Sequence, residues 1–268
     1  MQRDWDDEFA NLAHIPGGDA LQAGWEAASR RFRSAHEGRL DISYGVKPRQ
    51  RLDLFEPAGP AQGLVVILHG GYWMRTGRED WSHLAAGALA RGHAVALLGY
   101  TLAPDASLSE MREEVTSGLL RAASLVSGPI ALVGHSAGAH LATRLVCDDT
   151  ALPSDVLARL SSVTGIGGVY DLRPLLMTAL NWTLHLDGPK AAAESPILKR
   201  PKLTLPTTLW VGAEERPEFL RQSRAMALIW AGLGADIRFV EEPGAHHFSV
   251  LDGLGQPESP LLSAILSP

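Results

Sequence analysis

Cysteine is almost missing from this chain of 268 residues: Cys147 stands alone. That excludes an internal disulfide and any cysteine-based zinc site. The residue falls in a stretch read as helix, where a small buried apolar side chain is expected. Positive charge is scarce too. Lys and Arg number 24 against 30 Asp and Glu, a net charge of −6, which leaves no basic footprint for nucleic acid. No apolar run reaches the roughly 20 residues of a membrane-spanning helix. The opening, Met1-Gln-Arg-Asp-Trp-Asp-Asp-Glu8, is acidic and lacks the apolar core of a signal peptide, so a cytoplasmic location is expected. Metal ligation is not expected either. His135 and His140 are five apart, off a common helix face, and His246 and His247 are adjacent. No G-x-G-x-x-G or P-loop occurs, and Gly165-Ile-Gly-Gly168 lacks the dinucleotide fingerprint.

What is present is ample core. Hydrophobic residues make up 46% of the chain, and its length suits one large α/β domain or two small ones; a single domain over residues 1–268 is expected. Residues 1–38 read as a helical arm, with Trp25, Ala28 and Phe32 on one stripe and Arg30, Arg31 and Arg33 on a solvated face. Leu40-Asp-Ile-Ser-Tyr44 and Gln50-Arg-Leu-Asp-Leu-Phe55 alternate apolar with polar around Gly45 and Pro48, which predicts an antiparallel hairpin. Leu64-Val-Val-Ile-Leu68 is a continuous apolar run, as for a strand buried on both faces. Helices are then expected over 81–91, 109–127 and 217–233, and strands over 93–99, 129–133, 163–169, 207–212 and 236–241. This alternation predicts a mostly parallel sheet with helices on both faces, whose ligands bind at the carboxyl ends of the strands. Residues 170–205 break the rhythm and show no clear strand. With the arm, they are expected to form a small cap over the site.

The chemistry centres on Leu132-Val-Gly-His-Ser-Ala-Gly-Ala-His-Leu141. A strand, then G-x-S-x-G, then a helix start is the nucleophile-elbow pattern. It exposes the Ser136 hydroxyl at a helix N-terminus, whose dipole favours developing negative charge. A free hydroxyl is a poor nucleophile and needs a base. Past the last strand stand His246 and His247, of which only one can face the serine. His140, one turn into the elbow helix, is expected to be a hydrogen-bonding core group. The base needs an acid to fix its tautomer. Val211-Gly-Ala-Glu-Glu-Arg-Pro-Glu218 follows the penultimate strand. Glu215, three residues after Gly212, is the first choice and Glu214 the alternative; Glu218 belongs to the next helix's first turn. An oxyanion site requires backbone N–H donors. Ala137 supplies one, and the loop His69-Gly-Gly-Tyr-Trp73 is expected to supply others, because paired glycines let N–H groups enter the cavity unobstructed.

These residues resemble a known family. His69-Gly-Gly-Tyr-Trp73 matches the HGGxW motif of the kynurenine formamidase (arylformamidase) branch of the α/β-hydrolases. Gly134-His-Ser-Ala-Gly-Ala-His-Leu-Ala142 resembles that branch's elbow. Gly212-Ala-Glu-Glu-Arg-Pro-Glu-Phe219, Arg221-Gln-Ser223, Tyr170-Asp-Leu-Arg-Pro-Leu175 with Asn181, and Tyr44-Gly45 with Arg49-Gln-Arg-Leu-Asp-Leu-Phe55 are similar to its other segments. The His247-Phe248 step resembles the corresponding turn in related hydrolases and favours His247 as base. The resemblance implies a cofactor-free serine hydrolase that removes the formyl group from N-formyl-L-kynurenine. It also implies that Gly71 and Tyr72 supply the further oxyanion N–H groups. The family's acid is usually aspartate; Glu215 stands at that position here.

Tyr72 and Trp73 suggest a tight acyl pocket. Tyr100, Tyr170, Trp182 and Phe248 are candidates for an aromatic leaving-group side, Asn181 or Arg173 for an amino-acid end. The expected partner is a small-molecule substrate, with no nucleic acid or membrane; a homodimer is compatible with the sequence. Two other readings share the same residues. One is a short-chain carboxylesterase, and the other a binding protein on a hydrolase scaffold that has lost catalysis.

Overall fold

The computed structural model describes residues 3–202 and 205–267, so residues 1–2 of the arm and 203–204 of the insertion lie outside what is described. Eight strands form one sheet in the order β1-β2-β4-β3-β5-β6-β7-β8. They are β1 (Gly38–Ser43), β2 (Arg51–Phe55), β3 (Leu64–Leu68), β4 (Ala94–Leu98), β5 (Ile130–His135), β6 (Leu160–Ile166), β7 (Thr207–Gly212) and β8 (Ile237–Glu242). β1 and β2 form the antiparallel hairpin, β2 pairs antiparallel with β4, and the others run parallel. This is the mixed, mostly parallel sheet that the alternation predicts.

The central strands divide their side chains between two cores, as a period of two dictates. Leu64, Val66, Leu68, Ile130 and Leu132 face one side with the helices Leu108–Leu125, Ala137–Arg144 and Pro217–Gly232. Val65, Ile67, Ala131 and Val133 face the other, beneath Phe32, Trp81, Leu84 and Leu262. A parallel strand buried on both faces must be apolar at every position, hence the uninterrupted Leu64–Leu68 run.

The arm folds as a helix at Trp5–Glu8, a 3₁₀ turn at Leu12–His14 and a long helix at Gly18–Ala35. Phe32 packs edge-on against Phe55 of β2, ring centroids 5.1 Å apart. One expectation is corrected here. Arg33 is not on a solvated face: its guanidinium lies 2.6 Å from the fully buried Asp53 carboxylate. Asp53 also accepts the Asp41 N–H at 2.8 Å and pairs with Arg78 at 3.1 Å, because a carboxylate buried beneath a sheet needs several partners.

Other departures are local. The helix expected over 81–91 is a 3₁₀ segment, Arg78–Ala85, running into the short helix Ala86–Ala90. β6 ends at Ile166, because Gly167 turns to φ 52° and its N–H donates to Trp210 O. The elbow helix ends at Arg144, so Cys147 lies beyond it, buried, with an isolated bridge to Pro201. The insertion carries short helical pieces, Arg173–Met177, Asn181–Leu184, Gly188–Glu194 and Pro196–Leu198. It meets the arm where Ala179 N–H donates to Asp6 Oδ1 at 2.7 Å. Among the described residues no helix is long and apolar enough to cross a membrane.

Candidate active site

The loops after β3, β5, β6, β7 and β8 converge at the carboxyl edge of the sheet. Ser136 links β5 to its helix at φ 53° and ψ −115°, a conformation that costs about 1–3 kcal/mol for a residue with a side chain. Two backbone bonds hold it there. Ser136 N–H donates to Ile166 O at 2.8 Å, and Ser136 O accepts from His140 N–H at 3.2 Å. The flanking glycines are a matter of space. A Cβ on Gly134 would sit 2.1 Å from Gly138 O, and one on Gly138 would sit 2.1 Å from Leu68 O. Strand, helix and the neighbouring β3 therefore touch backbone to backbone.

The loop His69–Trp73 arches beside this turn. Gly71, Tyr72 and Trp73 all take positive φ, at 108°, 52° and 60°. Gly71 O accepts from Met74 N–H at 3.0 Å and Arg75 N–H at 2.9 Å, which closes the loop. The N–H groups of Gly71, Tyr72 and Ala137 have no acceptor among the described residues. His69 donates from Nδ1 to Gly70 O at 2.8 Å, and burial pushes its ring down to about 3, so it stays neutral.

Trp73 fastens the loop to the elbow. Its Nε1–H donates to His140 Nδ1 at 3.2 Å, and His140 Nε2–H donates to Glu194 O of the insertion at 2.7 Å. Both rings are fully buried, and His140 is held neutral at about 3 by that burial. The expected hydrogen-bonding role of His140 is the one observed.

The last two loops bring Glu215 and His247 together. His247 Nδ1–H donates to Glu215 Oε2 at 2.5 Å, while Glu215 Oε1 accepts Gly212 N–H at 3.0 Å. Both side chains are buried. Glu214 points to solvent, and His246 instead accepts the N–H groups of Phe248 and Ser249 at its Nδ1. Ser136 and His247 meet through neighbours. His135 Nε2–H donates to His247 O at 2.8 Å, and the two rings lie 4.7 Å apart. Among the described residues no hydrogen bond joins Ser136 Oγ to His247; such bonds often tighten only when substrate is bound.

A cavity of about 710 Å³ opens over this edge, within the size range of small-molecule sites. Gly71, Tyr72, His135 and Phe248 form its floor side. Phe9 and Leu12 of the arm and Ala179 and Leu180 of the insertion form its roof. Trp25 joins the aromatic wall, its ring 4.8 Å from Trp81 and 4.6 Å from Phe248.

The sequence pattern of the alpha/beta hydrolase family matches residues 65–260. A kynurenine formamidase of Danio rerio is 31% identical over 265 residues, covering 95% of this chain and 87% of its own. The chain belongs to the α/β-hydrolase family, on its kynurenine formamidase branch. Among solved structures, a Silicibacter sp. TM1040 protein solved under a thioesterase assignment superposes on this hydrolase with TM-score 0.94. It is 40% identical, with 98% of this chain and 99% of that one covered. Esterase B of Lactobacillus rhamnosis shares the fold alone, at 20% identity and TM-score 0.71 over 95% and 91% of the two chains.

The expected substrate contacts divide. Tyr72 and Phe248 line the hydrolase's cavity. Tyr72 hydroxyl donates to Phe9 O and accepts from Asn11 Nδ2 at 3.2 Å, so it ties the arm down as well. Trp73, Tyr100 and Tyr170 do not face the cavity: all three are fully buried in the sheet's core. Tyr100 is stacked on His69 at 4.4 Å and donates to His69 O. Asn181 is turned onto its own helix end, bonding both N–H and C=O of Leu186. Arg173 forms a two-pronged ion pair with Asp171 at 2.8 Å on each prong. The sequence reading missed His135, the arm residues Phe9 and Asn11, and Trp25 as a wall of the cavity. Only the last carried a signal, the helical stripe with Phe32.

Proposed function

We propose that this hydrolase removes the formyl group from an aryl formamide, with N-formyl-L-kynurenine as the substrate to test. Ser136 Oγ attacks the formyl carbon while its proton passes to His247. Glu215 holds the Nδ1–H of His247 and stabilises the imidazolium. The N–H groups of Gly71, Tyr72 and Ala137 receive the oxyanion. Collapse breaks the C–N bond, and the imidazolium returns its proton to the leaving arylamine. Water, deprotonated by His247, then attacks the formyl ester and releases formate and the serine.

The observation that carries this reading is the set of three backbone donors without acceptors beside a strained serine, next to a histidine bonded to a buried carboxylate. The likeness to the Danio rerio kynurenine formamidase over 95% of the chain supports the formamide. A second reading, hydrolysis of short acyl esters or thioesters by the same residues, is supported by the 40% identical Silicibacter protein. Comparing kcat/KM for N-formyl-L-kynurenine and 4-nitrophenyl acetate decides between them. A higher value for the formamide is expected; the reverse favours the ester reading. Failure of a fluorophosphonate probe to label Ser136 would overturn both.

A further inference from the structure

The cavity wall is mostly apolar, yet it holds two formal charges of opposite sign. Asp6 and Arg75 are the only Asp, Glu, Lys or Arg among its described lining residues. Both are exposed. No ion pair joins them to each other, and Arg75 has no side-chain hydrogen bond or ion pair among the described residues. Other cations nearby are engaged: Arg216 with Asp7, Arg3 with Glu8 and Glu218, and Arg173 with Asp171.

Their attachment points are fixed. Arg75 N–H donates to Gly71 O at 2.9 Å, so the guanidinium springs from the same turn that carries the Gly71 and Tyr72 N–H groups. Asp6 is held from the other side. Its Oδ1 accepts Ala179 N–H at 2.7 Å, which leaves Oδ2 for another donor. A planar guanidinium matches a carboxylate in two-pronged geometry, and a carboxylate accepts from an ammonium.

We infer that Arg75 and Asp6 select a leaving group bearing a zwitterionic α-amino acid end, Arg75 taking its carboxylate and Asp6 its ammonium. The inference deepens the formamidase reading, since the arylamine released from N-formyl-L-kynurenine carries such a group. It places the amino-acid end at neither Arg173, whose charge is paired with Asp171, nor Asn181, whose amide oxygen and nitrogen are bonded to Leu186.

The test separates the charge pair from the chemistry. Calorimetry compares binding of L-kynurenine with that of 2-aminoacetophenone, which keeps the aminoaryl ketone and lacks the amino-acid end. L-kynurenine should bind at least about 10-fold more tightly, the least that charge-assisted contacts of this kind imply. Arg75→Gln and Asp6→Asn should each erase most of that advantage and leave 2-aminoacetophenone binding unmoved; asparagine still offers an oxygen to Ala179. Equal binding of the two ligands to the unaltered protein, or equal losses for both in the variants, would overturn the inference. Turnover of N-formyl-L-kynurenine is read separately. Its absence sinks the formamidase reading, whereas the binding difference speaks only to the two charges.

Discussion

Glu215 occupies a place where aspartate is usual in the family that the motifs resemble. The longer side chain is accommodated by folding back: one oxygen takes Gly212 N–H, and the other takes His247 Nδ1–H at 2.5 Å. Gly167 makes the room, since a Cβ there would lie 2.8 Å from Glu215 Oε1 and 3.0 Å from His247 Nδ1. Glu215→Gln should keep the packing but present an amide to the ring, and kcat should fall by about 10³–10⁴. Glu214→Gln, at an exposed position, should leave kcat within twofold. Steady-state assays of the two variants check the assignment. Chain order and distance from a strand end single out residues 136, 215 and 247 as candidates in the sequence, because a parallel sheet stacks its carboxyl ends on one rim; of their contacts the structure shows the His247–Glu215 bond. The aromatic candidates were not legible in the same way. Tyr100 and Tyr170 also stand just past strands, and only burial separates a ring that packs the core from one that faces a ligand.

At the level of elements, the tryptophan of the HGGxW motif is a fastener. Trp73 joins the β3 loop to the elbow helix through His140, and His140 passes the connection on to the insertion at Glu194. Trp73→Phe would leave His140 Nδ1 buried without a donor. Stability to urea should drop by about 1–3 kcal/mol, measured as a shift in unfolding midpoint at unchanged slope. An unchanged midpoint would mean that the bond contributes nothing. The strands and long helices were legible because their periodicities are strong. The hairpin, the 64–68 run and the helix from Leu108 lie within two residues of expectation. The arm and the insertion were legible only as interruptions. Their pieces are three to seven residues long apart from Gly18–Ala35, too short to show a repeat, and tertiary bonds such as Asp6 to Ala179 N–H fix them.

Over the whole molecule, His69, His135 and His140 are buried neutral, each held below its ordinary value chiefly by loss of water. The unfolded chain protonates them near pH 6.5, whereas the folded chain declines the proton down to about pH 3 at His69 and His140. Stability is therefore insensitive to these groups above pH 6.5 and falls as pH drops through the window below it. At pH 5 the loss is roughly 2 kcal/mol for each of His69 and His140. Melting temperatures at pH 7.5, 6.0 and 5.0 should decline in that order; a flat series would contradict the neutral assignment.

The irregularity in β1 reaches further than the hairpin. An eight-stranded sheet has two open margins. On one, the ladder shifts between Arg39 and Ile42, Asp41 takes φ 57°, and its N–H is turned inward to Asp53. On the other, β8 carries Arg238, Glu241 and Glu242. An extended segment from a neighbouring copy would find no unbroken row of outward amides on the first margin and three charged side chains among the six residues of the second. The kink that seats a buried carboxylate thus also guards the protein against growing by strand addition.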